Sequence, residues 1–511
     1  EEMAAGAPGG GGAIEGTPQA PSSETVPPLR FTLRTVAVDT SDVLPAGAGE
    51  EAAAPYLGKE VTVADLYAIV EEINARYQKG GYLTCRAYLP PQTIHEGAVR
   101  IALFEGRVGA VRVRGNGHTR DVYLTSRMEI APGDIPRYQD MDEAIRWFNA
   151  TNDVQLRLAL QAGDAPGTTD FTLTAEEPKN EMFTLYGDNA GGETTGRWRK
   201  GVYYTNRSVF DWRDRFTLGL LHTQGVRSFN FGYSIPVGRR GGRLSLDYSA
   251  NATEVVNGQY RNWGIPVIGH ADAIQASFTQ PLWVTPALKA EASLTLGRQH
   301  SVTDMTEARL PMIDDTFTQE TAALAFTHYG KGRAFYHRHA FTRGHWENAS
   351  LTRLAKPSAD YTFYALNAVY QQGAAHGQLF TARTNVQISA NEDIRPSRQF
   401  YLGGVYSVRG YEENALGAAN GFSATLEYAV PALKRPDLRL YGFFDYGTLW
   451  GEGIPAHHVL ASVGVGLRAN FSDWGAMDVS VGMPLCRTIG YDAAPTAVDK
   501  MRVHLLMTAQ F

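Results

Sequence analysis

From Glu181 to Phe511 apolar and polar side chains take turns in one segment after another. Phe229, Phe231, Tyr233 and Ile235 alternate with Asn230, Gly232 and Ser234, and Leu244, Leu246 and Tyr248 alternate with Ser245, Asp247 and Ser249. A period of two marks a strand with one greasy and one polar face. Sixteen such segments are predicted, at about 181–188, 197–206, 214–224, 227–236, 242–251, 271–281, 287–298, 317–328, 332–342, 360–371, 378–389, 421–430, 437–448, 458–470, 476–485 and 500–511. In the thirteenth, Leu438, Leu440, Phe444 and Tyr446 share one face, and Arg439, Tyr441 and Asp445 share the other.

The connections alternate as well. Long ones, expected at 252–270, 299–316, 343–359, 390–420 and 486–499, are separated by short ones such as Tyr329-Gly330-Lys331-Gly332 and Ser472-Asp473-Trp474-Gly475. Short turns at one end and long loops at the other are the pattern of a bacterial outer-membrane barrel whose first strand rises from the periplasm. Strands of roughly ten residues, at about 3.3 Å each and tilted near 40°, reach about 25 Å, enough for the apolar band. A barrel this wide encloses water, so its polar lining points to transport or a plug.

The period changes upstream. Residues 30–178 predict two consecutive units of strand, helix, helix, strand, strand. The first has a strand near 31–38, an Ala-rich helix near 50–57, and a helix from Val63 whose Leu66, Ile69, Val70, Ile73 and Tyr77 fall on one face. Gly80 and Gly81 stop it, and strands at 82–89 and 99–104 follow. The second has a strand at 108–114, helices near 122–128 and 141–150 with Met141, Ala144, Ile145 and Phe148 as the buried stripe, and strands at 153–161 and 171–175. Each is read as a small α+β domain with a three-stranded sheet, whose edges are free to pair with an extended chain. Residues 1–29 carry eleven Gly or Pro, too little apolar surface to order themselves, and are expected to be a disordered tail.

Composition narrows the classes. No apolar run is long enough for a helical membrane span, whereas barrel strands leave only a weak signal. The net charge of -6 on 511 residues is mild and no basic block suggests nucleic acid. Cys85 and Cys486 are the only cysteines; they support neither a disulfide framework nor a metal site, and both are expected to act as small apolar residues. No cofactor or phosphate-binding glycine motif is present. His222, His328, His337 and His339 have no Ser or Asp at a telling spacing, so they are expected to be lumen or rim residues and the chain is not read as an enzyme. The start at Glu1, without a charged n-region and apolar h-region, reads as a mature protein.

The loop at 390–420 is well beyond the usual connection length. It carries Leu402-Gly403-Gly404-Val405-Tyr406-Ser407-Val408-Arg409-Gly410-Tyr411, and its central arginine needs an anionic partner once out of bulk water; Asp445 on the polar face of 437–448 is available. Val408-Arg409-Gly410-Tyr411 followed by Phe444-Asp445-Tyr446-Gly447 resembles the two signature motifs of outer-membrane barrels that carry periplasmic POTRA domains. Ile73-Asn74 through Tyr77, Gly81-Tyr82, Tyr88-Leu89-Pro90 and Phe104-Glu105-Gly106-Arg107-Val108 resemble the POTRA domain of two-partner secretion transporters, the TpsB family of haemolysin activation and secretion proteins. The resemblance implies α+β POTRA domains at 30–106 and 107–178 in the periplasm, followed by an all-β transmembrane barrel at 179–511 with about sixteen antiparallel strands. It implies secretion of one large exoprotein of the adhesin, haemolysin or contact-toxin class, bearing an N-terminal secretion domain and driven by its own folding outside. Val408, Arg409, Gly410, Tyr411, Asp445 and Gly447 would then be motif and gating residues, and Phe511 a signal read by the barrel-assembly machinery. Relatives often carry an N-terminal plug helix, whose signal is missing here. A barrel-assembly factor of the same superfamily is the alternative reading, though it usually has more POTRA units; a passive porin would not need two periplasmic domains.

Three expectations follow. Arg409 lies inside the barrel, paired with Asp445. Arg439, Tyr441 and Asp445 are water-accessible, while Leu438, Leu440 and Phe444 meet lipid. The edge strand within 153–161 captures the partner, with Val154, Leu156, Leu158 and Leu160 on the core and Gln155, Arg157 and Gln161 outside, so a proline at Arg157 removes a free donor. The protein is expected to act as a monomer in the outer membrane.

Overall fold

The computed structural model describes residues 30–305, 311–348, 360–391 and 394–511. The expected disorder of 1–29 and the plug helix lie outside them. The chain divides into two compact units at Pro178 and Lys179.

The N-terminal unit holds two domains of one topology. In the first, Thr35–Val38 runs parallel to Ala98–Glu105, which is antiparallel to Cys85–Tyr88. In the second, Arg107–Arg114 runs parallel to Thr168–Glu176, which is antiparallel to Gln155–Ala162. The last strand of each domain is therefore central, and each sheet has two edge strands.

The long helix Val63–Gly80 starts at a capping box, with the Thr62 N–H donating to Asp65 Oδ2 at 2.7 Å, and ends at Gly81, whose φ of 81° favours glycine. Its stripe of Leu66, Ile69, Val70, Ile73 and Tyr77 is buried against Leu33, Val99, Ile101 and Cys85. The family-like residues here do structural work. The Tyr77 hydroxyl donates to Glu105 at 2.8 Å, and burial beside that carboxylate pushes the phenol up from its ordinary pKa. Asn74 takes both main-chain groups of Ala87 on the sheet edge, accepting from its N–H at 2.6 Å and donating to its carbonyl at 3.3 Å. The Ala-rich helix spans Ala48–Ala53, shifted towards the N-terminus because Pro55 takes over the chain as a 3-10 turn. The second domain packs helices Asp121–Met128 and Tyr138–Thr151 on its sheet through Tyr123, Leu124, Phe148, Val154, Leu156 and Leu173.

Lys179 to Phe511 form a closed barrel of sixteen antiparallel strands: Glu181–Asp188, Arg199–Asn206, Arg215–His222, Val226–Val237, Gly242–Glu254, Ile268–Val284, Leu288–Asp304, Pro311–Gly330, Arg333–Asn348, Asp360–Gly373, Leu379–Ser389, Asn420–Ala432, Arg435–Trp450, Val459–Asn470, Gly475–Pro484 and Arg502–Gln510. They are called strands 1 to 16 below. Strand 16 closes on strand 1 through Leu506 opposite Asp188 to Gln510 opposite Thr184. Strands 6 to 9 run further outward than expected, so 299–304, 311–316 and 343–348 belong to the ladder and not to loops. The alternation of greasy and polar residues stops with the membrane, whereas main-chain pairing continues past it. Two hairpins in the outer loops, Phe400–Leu402 with Leu416–Ala418 and Thr488–Tyr491 with Ala494–Ala497, were not legible. Nor was the short helix Gln259–Asn262. Parity sets the faces: on strand 13 Leu440 and Phe444 are exposed outward, and Tyr441, Phe443 and Asp445 point inward.

Candidate functional site

Residues 394–419 fold back into the barrel, where they meet inward-facing side chains. Gly403 and Gly404, with φ of 103° and 97°, turn the chain, and the Gly404 N–H closes the turn on the Val408 carbonyl at 3.1 Å. Leu402, Val408, Tyr411 and Leu416 bury together against Leu449 of strand 13, Leu460 of strand 14 and Ile489. The apolar half of the loop is thus a small core of its own, and it holds the tip in place.

The tip presents Arg409. Its Nε donates to Asp445 Oδ2 at 2.8 Å and its Nη2 to Oδ1 at 2.9 Å, the two-pronged geometry that suits guanidinium and carboxylate. The Arg409 main-chain N–H adds a third bond to Oδ2 at 3.0 Å. Asp445 is fully buried and the Arg409 side chain nearly so. Nη1 lies 3.4 Å from Glu427 on strand 12, and the guanidinium carbon is 3.4 Å from the Phe443 ring centre. Glu427 is bridged onward to Arg468 of strand 14 at 3.2 Å, and Arg468 to Asp478 of strand 15 at 2.9 Å. Tyr441 donates to the same Asp478. The site is therefore a buried charge network across strands 12 to 15 into which the loop inserts one cation.

Each remaining motif residue has a steric or hydrogen-bonding task. Gly410 has a φ of 91°, and a Cβ there would sit 3.0 Å from the Gly482 carbonyl; a Cβ on Gly482 would sit 2.6 Å from the Gly410 nitrogen. The two main chains touch because neither residue carries a side chain. The Gly410 N–H donates to His504 Nε2 on strand 16 at 3.1 Å. The Tyr411 hydroxyl lies 2.9 Å from the Ala461 carbonyl and accepts from the Cys486 N–H at 3.1 Å. Gly447 leaves room for Leu402, which a Cβ would meet at 2.5 Å.

The root of the loop is pinned elsewhere. Arg395 pairs with Asp315 of strand 8, both nearly buried, and lies 4.6 Å from the Trp346 ring centre on strand 9. Arg398 lies 4.3 Å from the Phe317 ring centre and donates to Gln299 of strand 7 at 3.3 Å. Phe317, Trp346 and Tyr361 form the buried aromatic seat together with Ile394.

Several expectations need correction. Tyr441 and Asp445 face inward but are buried under the loop, so they are not water-accessible; Arg439 is half-buried. His337 and His339 share the outward parity of Phe335 and Phe341 on strand 9. There His328, His337, His339 and the Tyr364 hydroxyl form a row at 3.1, 2.9 and 2.7 Å. These three histidines face away from the lumen. In the second domain Leu156 is buried, but Leu160 is exposed because strand Gln155–Ala162 runs beyond the helix that covers it. Gln155, Arg157 and Gln161 are exposed, with Arg157 paired to Glu176 at 2.9 Å. The main chain of Leu156 points to the free edge, since Asn149 accepts from its N–H at 2.7 Å and donates to its carbonyl at 3.0 Å. By alternation Arg157 bonds within the sheet and the open groups belong to Leu158 and Leu160. A proline at Arg157 would break the sheet and leave the edge donors intact. Phe511 exchanges main-chain bonds with Phe183 across the barrel seam at 2.9 and 3.2 Å, its side chain exposed outward.

Glu427, Phe443, Arg468, Asp478, Gly482 and His504 were not singled out from the sequence. The signal was weak but present: each sits on the inward parity of its strand, and what was lacking was the register that stacks Thr425 on Asp445 and Glu427 on Phe443. Among the described residues no group of three His, Cys, Asp or Glu is placed to hold a metal.

Two small α+β domains ahead of a sixteen-stranded barrel, with an arginine-tipped loop latched to the inside of the wall, define a POTRA-bearing outer-membrane transporter. The chain belongs to the haemolysin secretion/activation protein ShlB/FhaC/HecB family, whose model matches residues 167–469, and the ShlB-type POTRA model matches 31–106. It is 24 % identical over 459 residues to the heme/hemopexin transporter protein HuxB of Haemophilus influenzae, covering 85 % of this chain and 80 % of that one. It is 22 % identical over 483 residues to the outer membrane transporter CdiB of Escherichia coli, covering 88 % and 80 %. The solved structure of CdiB from Escherichia coli shares the fold with a TM-score of 0.69 at 20 % identity over 97 % of this chain and 93 % of that one. BamA from Haemophilus ducreyi lacking POTRA domains 1–3 shares it with 0.54 at 13 % identity over 94 % and 100 %. The protein is thus an outer-membrane transporter of two-partner secretion, with its POTRA domains in the periplasm.

Proposed function

We propose that this chain exports one large exoprotein with an N-terminal secretion domain, of the adhesin, haemolysin or contact-toxin class, from the periplasm to the cell surface. The observation that carries the reading is the latch: a buried ion pair holds a loop against one part of the inner wall, which narrows a wide channel to a passage for an extended chain without filling it. The POTRA edges supply the capture step. An unfolded exoprotein offers main-chain donors and acceptors with little fixed sequence, so strand addition gives affinity without a side-chain code. The free groups of Leu158 and Leu160 are the place for it, with Gln155, Arg157 and Gln161 flanking them. Export draws on the partner's folding outside. Insertion of the barrel through recognition of Phe511 by the assembly machinery, and action as a monomer in lipid, belong to the same reading.

Deleting the gene should leave the partner exoprotein in the periplasm, degraded, and absent from the surface. A surface level unchanged from the wild type refutes the export role. Leu160→Pro in the full chain should lower surface exoprotein severely while barrel levels and heat-modifiability stay normal; undiminished export places capture away from this edge. The assembly-factor alternative predicts instead a general loss of outer-membrane barrels on deletion.

A further inference from the structure

The loop covers only part of the lumen. Its tip engages strands 12 to 16 and its root engages strands 7 to 10. Among the described residues no hydrogen bond or ion pair of the loop reaches the middle of strands 4 to 6. The two regions of wall also differ in burial. Inward residues under the tip, such as Ser423, Glu427, Asp445, Ser462 and Ser480, are buried. Inward residues of strands 4 to 7, such as Asn230, Ser245, Ser249, Gln275, Ser277 and Thr295, are half-buried or exposed to the lumen. Their outward neighbours Leu244, Leu246, Ile274, Leu294 and Leu296 are exposed on the other face, which fixes the parity.

We propose that the part of the inner face of strands 4 to 7 that the loop leaves uncovered is the track along which the exported chain passes, while the loop stays latched at both ends. The inference rests on the export reading and adds where in the barrel the substrate runs. The chemistry of the wall fits an extended polypeptide of no fixed sequence. Hydroxyls and amides each offer donors and acceptors to a passing main chain, and a neutral hydrogen bond is weak enough, net of water, to be exchanged at every step. Fixed charges are few: Asp247, and, towards the periplasmic end, Arg243 donating to the Ser234 hydroxyl at 2.8 Å and Lys289 paired with Glu291 at 3.1 Å. A wall rich in unpaired charge would hold oppositely charged stretches of the substrate and repel others. The covered wall is the opposite case, because lifting the loop would strand Asp445 and Asp315 without their arginines. Passage along strands 4 to 7 leaves those pairs whole.

The test uses the full-length protein in planar bilayers, with an unstructured Gly/Ser/Asn-rich polypeptide carrying one cysteine as the probe, driven through by voltage. Because Cys486 is only half-buried, all variants are built on Cys486→Ser. Ser249→Cys and Ser277→Cys should capture the probe as a permanent, thiol-reversible current block. Ser423→Cys and Ser480→Cys, under the loop, should not, and Leu246→Cys on the lipid face should not. Capture at Ser423→Cys or Ser480→Cys as often as at Ser249→Cys shows that the loop leaves during passage and overturns the proposal. So does transient blocking of every variant without capture at Ser249→Cys or Ser277→Cys. A wild-type channel that the probe never blocks removes the export reading, and the track with it. As an independent readout, Ser249→Arg with Ser277→Arg should lower surface exoprotein at normal barrel levels; full export refutes the track.

Discussion

The Arg409 and Asp445 pair lends itself to a double-mutant cycle. Arg409→Ala removes one cation from a site where the Asp445 side chain is 0 % and the Glu427 side chain 3 % exposed. Glu427 keeps Arg468, but Asp445 keeps only the main-chain N–H of residue 409. Asp445→Ala leaves Arg409, 8 % exposed, with Glu427 alone at 3.4 Å. Either change breaks a dry, two-pronged pair, for which the expected cost is about 3 to 5 kcal/mol, mostly the penalty of the charge left behind. That equals a shift of roughly two to three and a half orders of magnitude in the equilibrium between docked and undocked loop. A spin label at Tyr406, exposed on the docked loop, measured by distance against a label on the barrel rim, reads that equilibrium directly. Both single variants should populate the undocked state, and the double variant should be little worse than either, giving a coupling term nearly as large as one single loss. Arg409→Lys should recover less than half of the loss, since an ammonium cannot make the fork. Strictly additive single losses would show that the two residues act separately and refute the latch.

Gly410→Ala removes no charge yet forces a Cβ towards the Gly482 carbonyl at a φ of 91°, so the tip should undock by about 1 to 3 kcal/mol in the same distance measurement; an unchanged distance distribution would mean the close approach is not needed. At the root, Arg395→Met keeps packing on Trp346 but leaves Asp315 unpaired, and the barrel's heat-modifiability temperature should fall while the tip distance stays put; a tip that undocks with it would make root and tip one unit. In the first POTRA domain the Thr62 N–H and hydroxyl hold the Asp65 carboxyl below its ordinary pKa. A group with a depressed folded pKa stabilises the fold above its unfolded pKa and loses that contribution as pH falls through the folded one. Melting of residues 30–178 should therefore drop more steeply below about pH 4 in the wild type than in Asp65→Asn; parallel acid limbs would refute the cap.

Barrel strands were legible because alternation is imposed by the membrane itself: one face must be greasy, the other need not be. Where that constraint ends, legibility ends. Strands 6 to 9 continue past the apolar band with Arg298, His300 and Glu347 on their outer faces, and a periodicity argument cannot see them. The same limit explains the site. Arg409 and Asp445 stood out because each is a charged residue with an evident need, one in a glycine turn and one on the inner face of a strand. Glu427, Arg468 and Asp478 are equally necessary to the network but look like ordinary polar-face residues. Only register brings them together, since the barrel's shear decides which rungs meet under the loop. The histidine row misled for a related reason: His337 and His339 are polar by type but sit at greasy-face positions, and parity outranks residue type.

The two POTRA domains carry a repeat that neither sequence spacing nor composition announces. In each, an asparagine of the helix packed on the sheet reaches the free edge and takes both main-chain groups of one strand residue: Asn74 with Ala87, and Asn149 with Leu156. Such a side chain mimics a neighbouring strand for one residue and blunts an edge that would otherwise template aggregation. The consequence differs between the domains because the edge strands differ in length. Cys85–Tyr88 has four residues, and Tyr88 is already followed by Pro90, so its clamp leaves almost no free edge. Gln155–Ala162 has eight, and beyond the clamp at Leu156 the outward groups of Leu158 and Leu160 remain open. The same device therefore closes the edge of the first domain and leaves a short open stretch of edge in the second, beside the exposed side chain of Leu160.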